Sequence, residues 1–564
     1  MTGGRRAGLF PLCRRMRRAP EEDEAREGRR RRPTPAQVWV GVAPVVALAA
    51  VGIGLALGWR GVDVAAAVHR VSEFRHHGFL IWDNSWYGGQ WTLAYSAVFA
   101  PVASFAGLHL LALLASALAA LAFERLVTPR FGPSARVAAV VFALGTVVEA
   151  SIGQLSFLSG EALALSALWA ATRRRWPLAW VLATGVALLS PLAGAFLALA
   201  AGAWLLASHR SWSRSRCLAV LGVILAVAAP LAVTAVLFPG EGPMPFSGVD
   251  CFWDLVIAGA IFVLLPQRER VLRAGTALYA VALVASWAIS SPVGNNAGRL
   301  EDVVALPLAV LLLWPPRRRL VLLRLVFRRL VFAGMAVPLV VSSWGPAWGA
   351  MTTLASQPEA QAAFYAPLDA WLARTDPNGS LGRVEVVPTQ QHWEAVWVAA
   401  VEPLARGWER QSDIATNPIF YQDGALTPAS YRSWLLDQGV AFVALPTATL
   451  DFSAGAEGRL LAAGVPGLRP VWGNADWRVW AVTGSSGVVA TGPATVLAVE
   501  AQRVVLRAER AAVLTVRVPS GGHWTVSQGD ACAEPAGRWT RVDVTRPGIV
   551  VLSAALRASS RECG

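Results

Sequence analysis

The longest polar interruption in the hydrophobic N-terminal half, DVAAAVHRVSEFRHHGFLIWDNSWYGGQW from Asp63 to Trp91, holds the residue types needed for acid–base chemistry at a membrane surface. At about 100° per residue, Val64, Ala67, Val68, Val71 and Phe74 share one helix face, while Asp63, His69, Arg70, Glu73, His76 and His77 share the other and Arg75 breaks the pattern. A helix of this kind, directly after a membrane span, is expected in the interface with its apolar face down and its ionisable face toward water. The bland alternative is a juxtamembrane amphipathic helix without chemistry. The run W-D-N-S-W-Y-G-G-Q-W that follows carries Trp86, Tyr87 and two adjacent glycines among amides, which suits a tight loop against a ligand. Two further acids, Glu149 and Glu161, fall within or at the ends of apolar helices, where a carboxylate is costly unless paired, solvated or neutral. Gln154 lies in the turn between them, and Arg299 is the counter-charge on offer, or a residue for a lipid phosphate.

The elements that must position these groups are mostly membrane helices. Of 564 residues, 55% are hydrophobic and only 15% charged, with positive mean hydropathy, which points to a polytopic membrane protein. The net charge is +14 and all 50 basic residues are arginine. They cluster at the ends of apolar runs, so orientation in a bilayer explains them better than nucleic acid does, and no nucleic-acid-binding motif is present. The five cysteines show no metal-ligand spacing, so no metal site is assigned.

Residues 1–35 read as a disordered, basic cytoplasmic tail, too poor in apolar residues for a core. A transmembrane domain is expected over 36–350, with its first outer loop at 59–96. Its first span, Ala36 to Leu57, reads as a retained helix whose start the preceding arginines hold inside. Further apolar segments follow at Pro101–Phe123, Ala135–Ile152, Phe157–Ala171, Pro177–Ser190, Pro191–Ala207, Cys217–Phe238, Phe252–Leu265, Ala274–Ile289, Val303–Trp314 and Leu330–Ser343. Taking Ser190-Pro191 as a break gives eleven segments. Only that number puts the arginine groups at 125–136, 173–175, 210–216, 268–273 and 317–319 all on the inside. The loops at Asp63–Trp91, Ser151–Glu161, Phe238–Asp250 and Ser290–Asp302 then share the outside with the C-terminal part.

From Gln357 onward the pattern changes. Alternating helix and strand signals predict a mixed α/β module over 357–482, and period-two segments such as RVVLRA and AVLTVRVP predict a β-sandwich-like module over 483–564. Cys532 and Cys563 both fall in this outer region, where disulfides persist, and are expected to pair. His392, Trp393, Glu394, Arg406, Trp408 and Arg410 combine aromatic faces with charged groups, a pattern that suits either sugar rings or docking onto the membrane domain, docking being favoured. The fold class expected is therefore mainly α, a polytopic membrane helical bundle with an extracytoplasmic α/β module and a terminal β-sandwich.

The pattern D-x5-H-R at Asp63, His69 and Arg70, followed by W-D-x-x-W-Y-G-G, resembles the first-loop signature of GT-C membrane glycosyltransferases and the 6-pyruvoyl-tetrahydropterin synthase-related membrane proteins. It is also similar to an actinobacterial membrane-protein type that carries the H-W-E and R-G-W-E-R-Q strings seen at His392–Glu394 and Arg406–Gln411. The resemblance implies a polyprenyl-phosphate sugar donor, an envelope glycan or glycolipid acceptor, Asp63 as catalytic acid group, and His69 and Arg70 as its basic companions. Many GT-C enzymes carry paired acids, whereas Asp63 stands alone, so a divalent metal stays open but is disfavoured. On chemical grounds the reaction needs a base for the acceptor hydroxyl and a cation at the departing phosphate. Asp63 suits the first role, and Arg70, His69 or Arg299 the second, with Gln154 and Glu161 lining the same cavity. The rival classes are a transporter or lipid flippase, against which stands the lack of internal duplication, and a non-catalytic envelope scaffold.

Overall fold

The computed structural model describes residues 41–132, 134–239, 242–313, 334, 337–341, 343–345, 347–351, 357–556 and 563. The expected N-terminal tail, the arginines at 317–319 and half of the Leu330–Ser343 segment lie outside the described residues. The chain divides into two units, 1–41 and 42–564, and everything below concerns the second.

Its first part is a helical bundle: α1 (Val42–Ala56), α2 (Val64–His77), a two-stranded hairpin of β1 (Trp82–Asp83) and β2 (Gln90–Trp91), α3 (Phe99–Ala106), α4 (Leu108–Phe131), α5 (Ser134–Ile152), α6 (Leu155–Thr172), α7 (Trp176–Leu189), α8 (Pro191–Ser208), α9 (Arg214–Leu237), α10 (Gly248–Leu264), α11 (Arg270–Ala288) and α12 (Arg299–Leu313). Among the described residues six stretches, those of α4, α5, α6, α8, α9 and α11, are long and apolar enough to cross a membrane, and α1 and α7 are shorter apolar helices. One detail of the expected segments differs: the stretch expected as one span from Pro101 to Phe123 is broken at Gly107.

Ser190 is extended (φ −150°, ψ 106°), its hydroxyl accepts from the Ala193 N–H, and Pro191 takes the first helical position, where its missing N–H leaves nothing unpaired. The chain reverses there. Trp180 and Thr184 of α7 donate to the Ala219 and Ala226 carbonyls of α9, so α7 runs parallel to α9. The hairpin between α8 and α9 makes α8 antiparallel to both.

The helix ends sort into two groups. At one end, Asp63 N–H bonds the Ile152 carbonyl, Ser156 and Ser96 hydroxyls reach the Leu189 and Leu188 carbonyls, and the Trp91 ring meets Phe238 at 5.5 Å. Gly242, in the connection from α9 to α10, packs against Gln411 and Ala415 of the C-terminal part, so this is the module end. The opposite end carries the arginine-rich turns, with Arg130 at the end of α4 bonded to Glu269 beside α11.

The C-terminal part first forms a mixed four-stranded sheet in the order β3-β4-β6-β5, from β3 (Arg383–Val386), β4 (Val440–Pro446), β5 (Leu468–Gly473) and β6 (Trp477–Val482). β3 and β4 are parallel and the other pairs antiparallel. It is accompanied by α13 (Ala362–Thr375), α14 (Glu394–Trp397), α15 (Arg410–Thr416), α16 (Pro428–Asp437) and α17 (Gly455–Ala463). The remaining strands β7 (Val489–Thr491), β8 (Ala494–Val499), β9 (Arg503–Ala508), β10 (Ala512–Pro519), β11 (Thr525–Gln528), β12 (Ala531–Ala536), β13 (Trp539–Val544) and β14 (Gly548–Ser553) make two antiparallel sheets, β12-β13-β10-β7 and β11-β14-β9-β8. Val504, Leu506, Leu514, Val516, Val542 and Leu552 fill the space between them, the inward half of the period-two pattern. Cys532 is disulfide-bonded to Cys563.

The first outer loop departs from its expected place in the interface. Helix α2 is held between two cores: Ala67 and Val71 face the bundle, while Ala65 and Ala66 pack with Trp393, Val396 and Trp408 of the α/β part. Four small or slender residues let both neighbours approach. His69, on the face expected to meet water, is only 3% exposed.

With the arginine turns at one end and the C-terminal part at the other, the positive-inside bias predicts that a reporter enzyme fused after Gln357 reads as extracytoplasmic. A cytoplasmic readout would invert the orientation of every element named here.

Candidate active site

Two groups of polar residues meet at the module end, and they differ in whether their polar atoms are satisfied. The first sits at the corner between α5 and α6. Gly153 there has φ +99°, and a Cβ on it would lie 2.3 Å from the Val64 backbone nitrogen, so only glycine lets the first loop cross this corner in contact with it. The crossing sets Asp63 one residue before α2, its own N–H on the Ile152 carbonyl, with its half-buried carboxyl making no cap to the helix. Gln154 follows in the corner, its N–H on the Glu149 carbonyl.

Just below, the buried carboxyls of Glu149 on α5 and Glu161 on α6 face each other, with the Arg299 guanidinium near Glu149. Arg299 opens α12 and lies 5.9 Å over the Phe157 ring. Apart from each other, neither carboxyl meets an N–H or hydroxyl of the described residues. Buried acids inside a membrane bundle are expensive and mark functional positions. Arg60, three residues before Asp63 and exposed, places a second cation at this mouth, 5.8 Å from the Trp393 ring. Thus Asp63, Gln154, Glu161 and Arg299 gather around one corner, joined by Glu149.

His69 and Arg70 turn elsewhere. His69 Nε2 bonds Asp83 Oδ2 at 2.9 Å, and its ring stacks on Trp86 at 4.1 Å. Burial pushes the Asp83 carboxyl up, but the His69 hydrogen bond and charge and the Ser85 N–H outweigh it and leave it below its ordinary value. Arg70 pairs with Glu409 and lies 3.9 Å over Tyr95. The loop's other polar tips are also taken: Trp86 Nε1 donates to the Ala395 carbonyl, and the Tyr87 hydroxyl donates to the Glu409 carbonyl and accepts from the Glu409 N–H. The paired glycines are tight against the protein itself rather than against a ligand. A Cβ on Gly88 would strike the Arg383 guanidinium, and one on Gly89 the Trp82 indole. The hairpin is a clamp between the bundle and the C-terminal part.

The remaining candidates lie inside that part. His392 (φ 56°) stacks on Trp408 at 3.5 Å, with Glu394 at 3.3 Å and Asp451 at 3.5 Å from its ring nitrogens. Burial lowers its pKa, and the two carboxylates more than reverse that, so it is raised. Arg406 is bonded to Asp413 at 2.6 Å and Glu457 at 3.2 Å, and Arg410 to Asp451 at 2.9 Å. Trp393 packs under α2. These side chains hold the α/β part together and seat it on the loop. Sequence reasoning did not select Asp83, whose partner His69 lies in the same loop, or Glu385 and Glu457, buried acids beside Arg406. Among the described residues no group of three or more His, Cys, Asp or Glu is placed to hold a metal ion.

Neither a known protein family nor a curated protein matches this chain. Among solved structures, ArnT from Cupriavidus metallidurans bound to undecaprenyl phosphate is similar at 15% identity, over 80% of this chain and 99% of that one, with a TM-score of 0.41.

Removing one partner of a buried ion pair costs about 3–5 kcal/mol. His69→Ala is therefore expected to lower the thermal unfolding midpoint well beyond an exposed control such as His76→Ala. Because the folded-state pKa of Asp83 is depressed, the pair's contribution is complete above the ordinary value of 3.8 and is lost as pH falls through the depressed value. Equal midpoints for the two alanine variants would remove the clamp role.

Proposed function

We propose that this protein is a membrane glycosyltransferase that takes a sugar from a polyprenyl-phosphate donor at the extracytoplasmic face and passes it to an envelope glycan or glycolipid. The observation that carries the reading is the buried Glu149 and Glu161 pair, facing each other near Arg299 and within the two helices whose corner carries Asp63, at the bundle end covered by the C-terminal part. An apolar donor tail belongs among membrane helices while its phosphate needs a cation at their rim, and this corner offers both. The first-loop resemblance supports the same chemistry.

In this mechanism the Asp63 carboxylate takes the proton of the acceptor hydroxyl as that oxygen attacks the anomeric carbon. The bond from that carbon to the phosphate oxygen breaks, and the charge left on the polyprenyl phosphate is met by Arg299, with Arg60 at the mouth. Glu149, Glu161 and Gln154 are assigned to the sugar hydroxyls. We assign the phosphate to Arg299 ahead of His69 and Arg70, whose heads are engaged by Asp83 and Glu409.

The test is transfer of labelled sugar from a polyprenyl-phosphate donor in membranes at equal expression. Asp63→Asn keeps size and hydrogen bonding but not basicity, and is expected to lower turnover about a hundred- to ten-thousandfold. Undiminished transfer by Asp63→Asn would remove Asp63 as base, and absence of transfer by the wild type from any polyprenyl-phosphate donor would sink the glycosyltransferase reading.

A further inference from the structure

His392 lies at the back of the platform on which α2 rests, and histidine changes charge near neutral pH. It follows β3 on the way into α14, is 2% exposed, and sits in the left-handed region at φ 56°, a conformation that persists only where the surroundings hold it. Three segments do so. Its ring stacks on Trp408 at 3.5 Å, Glu394 of α14 stands 3.3 Å from Nδ1, and Asp451 in the loop after β4 stands 3.5 Å from Nε2. The His392 carbonyl accepts from the Ala395 N–H, and the Ala395 carbonyl accepts from the Trp86 indole of the first outer loop. Trp393 and Trp408 pack with Ala65 and Ala66 of α2, and Glu409, next to Trp408, holds Arg70 and Tyr87. Two of the three segments that meet His392 therefore carry the seat of the first outer loop.

The balance of charge around the ring depends on its proton. Asp451 accepts two guanidinium nitrogens of Arg410, each at 2.9 Å, and the Ser453 hydroxyl, while Glu394 accepts the Thr389 hydroxyl at 2.6 Å. Tyr365 of α13 faces Glu394, with Asp369 of the same helix and Glu359 of the turn before it close by, and Arg60 stands over the neighbouring Trp393. With His392 protonated, the cations of His392 and Arg410 meet the carboxylates of Glu394 and Asp451. Without that proton the two carboxylates share Arg410 alone in a place that water barely reaches, which is costly. The left-handed backbone then also loses the attraction that holds it.

We propose that His392 is a pH sensor whose proton keeps α14 and the Trp408 segment in place against the first outer loop, and whose loss lets that loop open. The loop it governs carries Asp63, but the device does not depend on the transfer chemistry. Burial lowers the His392 pKa, and Asp451 and Glu394 more than reverse this, so the folded value lies above the ordinary 6.5. The contribution to the seat is therefore complete below 6.5, is lost as pH rises from there to the raised value, and is level beyond it. In the orientation that the arginine turns favour, the pH sensed is that outside the membrane.

The experiment is hydrogen–deuterium exchange of peptides from residues 63–91 in the full-length protein in nanodiscs, without substrate, corrected for the intrinsic pH dependence of exchange. In the wild type the local-opening equilibrium is expected to grow about tenfold per pH unit above 6.5 until it levels off. His392→Asn is neutral throughout and tolerates the left-handed backbone, so its loop should stay as open as the wild type's upper limit at every pH. Glu394→Gln removes one of the two carboxylates that hold the proton, so its rise should be smaller and should level off at lower pH. Flat exchange in the wild type overturns the proposal. So does a rise that persists undiminished in His392→Asn, which assigns the titration to another group such as His69, His76 or His77. If His392→Asn does not fold, Glu394→Gln decides, and an unchanged rise in that variant overturns the proposal.

Discussion

The hydrogen bond between His69 and Asp83, almost wholly out of water, is the contact on which the arrangement of this protein turns. It closes the first outer loop on itself, from helix α2 to the first strand of the hairpin, and so presents Trp86 and Tyr87 as one rigid surface. A loop placed between two hydrophobic cores can carry polar groups only if each finds a partner. Here four of them do: His69 with Asp83, Arg70 with Glu409, Trp86 with the Ala395 carbonyl, Tyr87 with the Glu409 backbone. Opening the first of these would leave a charge in a place that water barely reaches, and would free the surface on which the C-terminal part is seated.

That satisfied loop makes the unsatisfied groups nearby informative. Within the α/β part, Arg406 draws Asp413 and Glu457 to itself, and Glu385, the remaining acid, is raised well above its ordinary pKa by burial and by its acidic neighbours. A group kept neutral in this way needs no counter-charge. Glu149 and Glu161 stand buried in the bundle facing each other, without a direct bond to Arg299 among the described residues. A pair of acids inside a membrane bundle is costly and marks a functional position.

The division of the two bundle ends follows from different physics. At one end, arginines in short turns need only water or lipid headgroups, and among the described residues the half-exposed Arg130 pairs with the buried Glu269. At the other, contacts are largely buried and specific, formed by residues up to 421 positions apart. The first kind sets which way the bundle faces, and the second sets what it can do there.

By itself the sequence determined the features that depend on near neighbours. Apolar runs bounded by arginine specify helices and their ends. Ser190 followed by Pro191 specifies a cap and a reversal, because proline cannot supply the hydrogen bond that would continue α7. Alternation of Val504 and Leu506 with Arg503 and Arg507 specifies a strand with one face inward. Only the tertiary structure decided the partners. The amphipathic pattern from Asp63 to His77 reads equally as a helix on water or as one between two cores, because periodicity reports which residues share a face but not what covers it. It was the crossing at Gly153 and the arrival of Ala395 and Glu409 from the far end of the chain that buried His69, occupied Arg70 and left Asp63 at the open corner. Electrostatic and packing energies depend on distance in space, and at separations of hundreds of residues no local pattern encodes that distance.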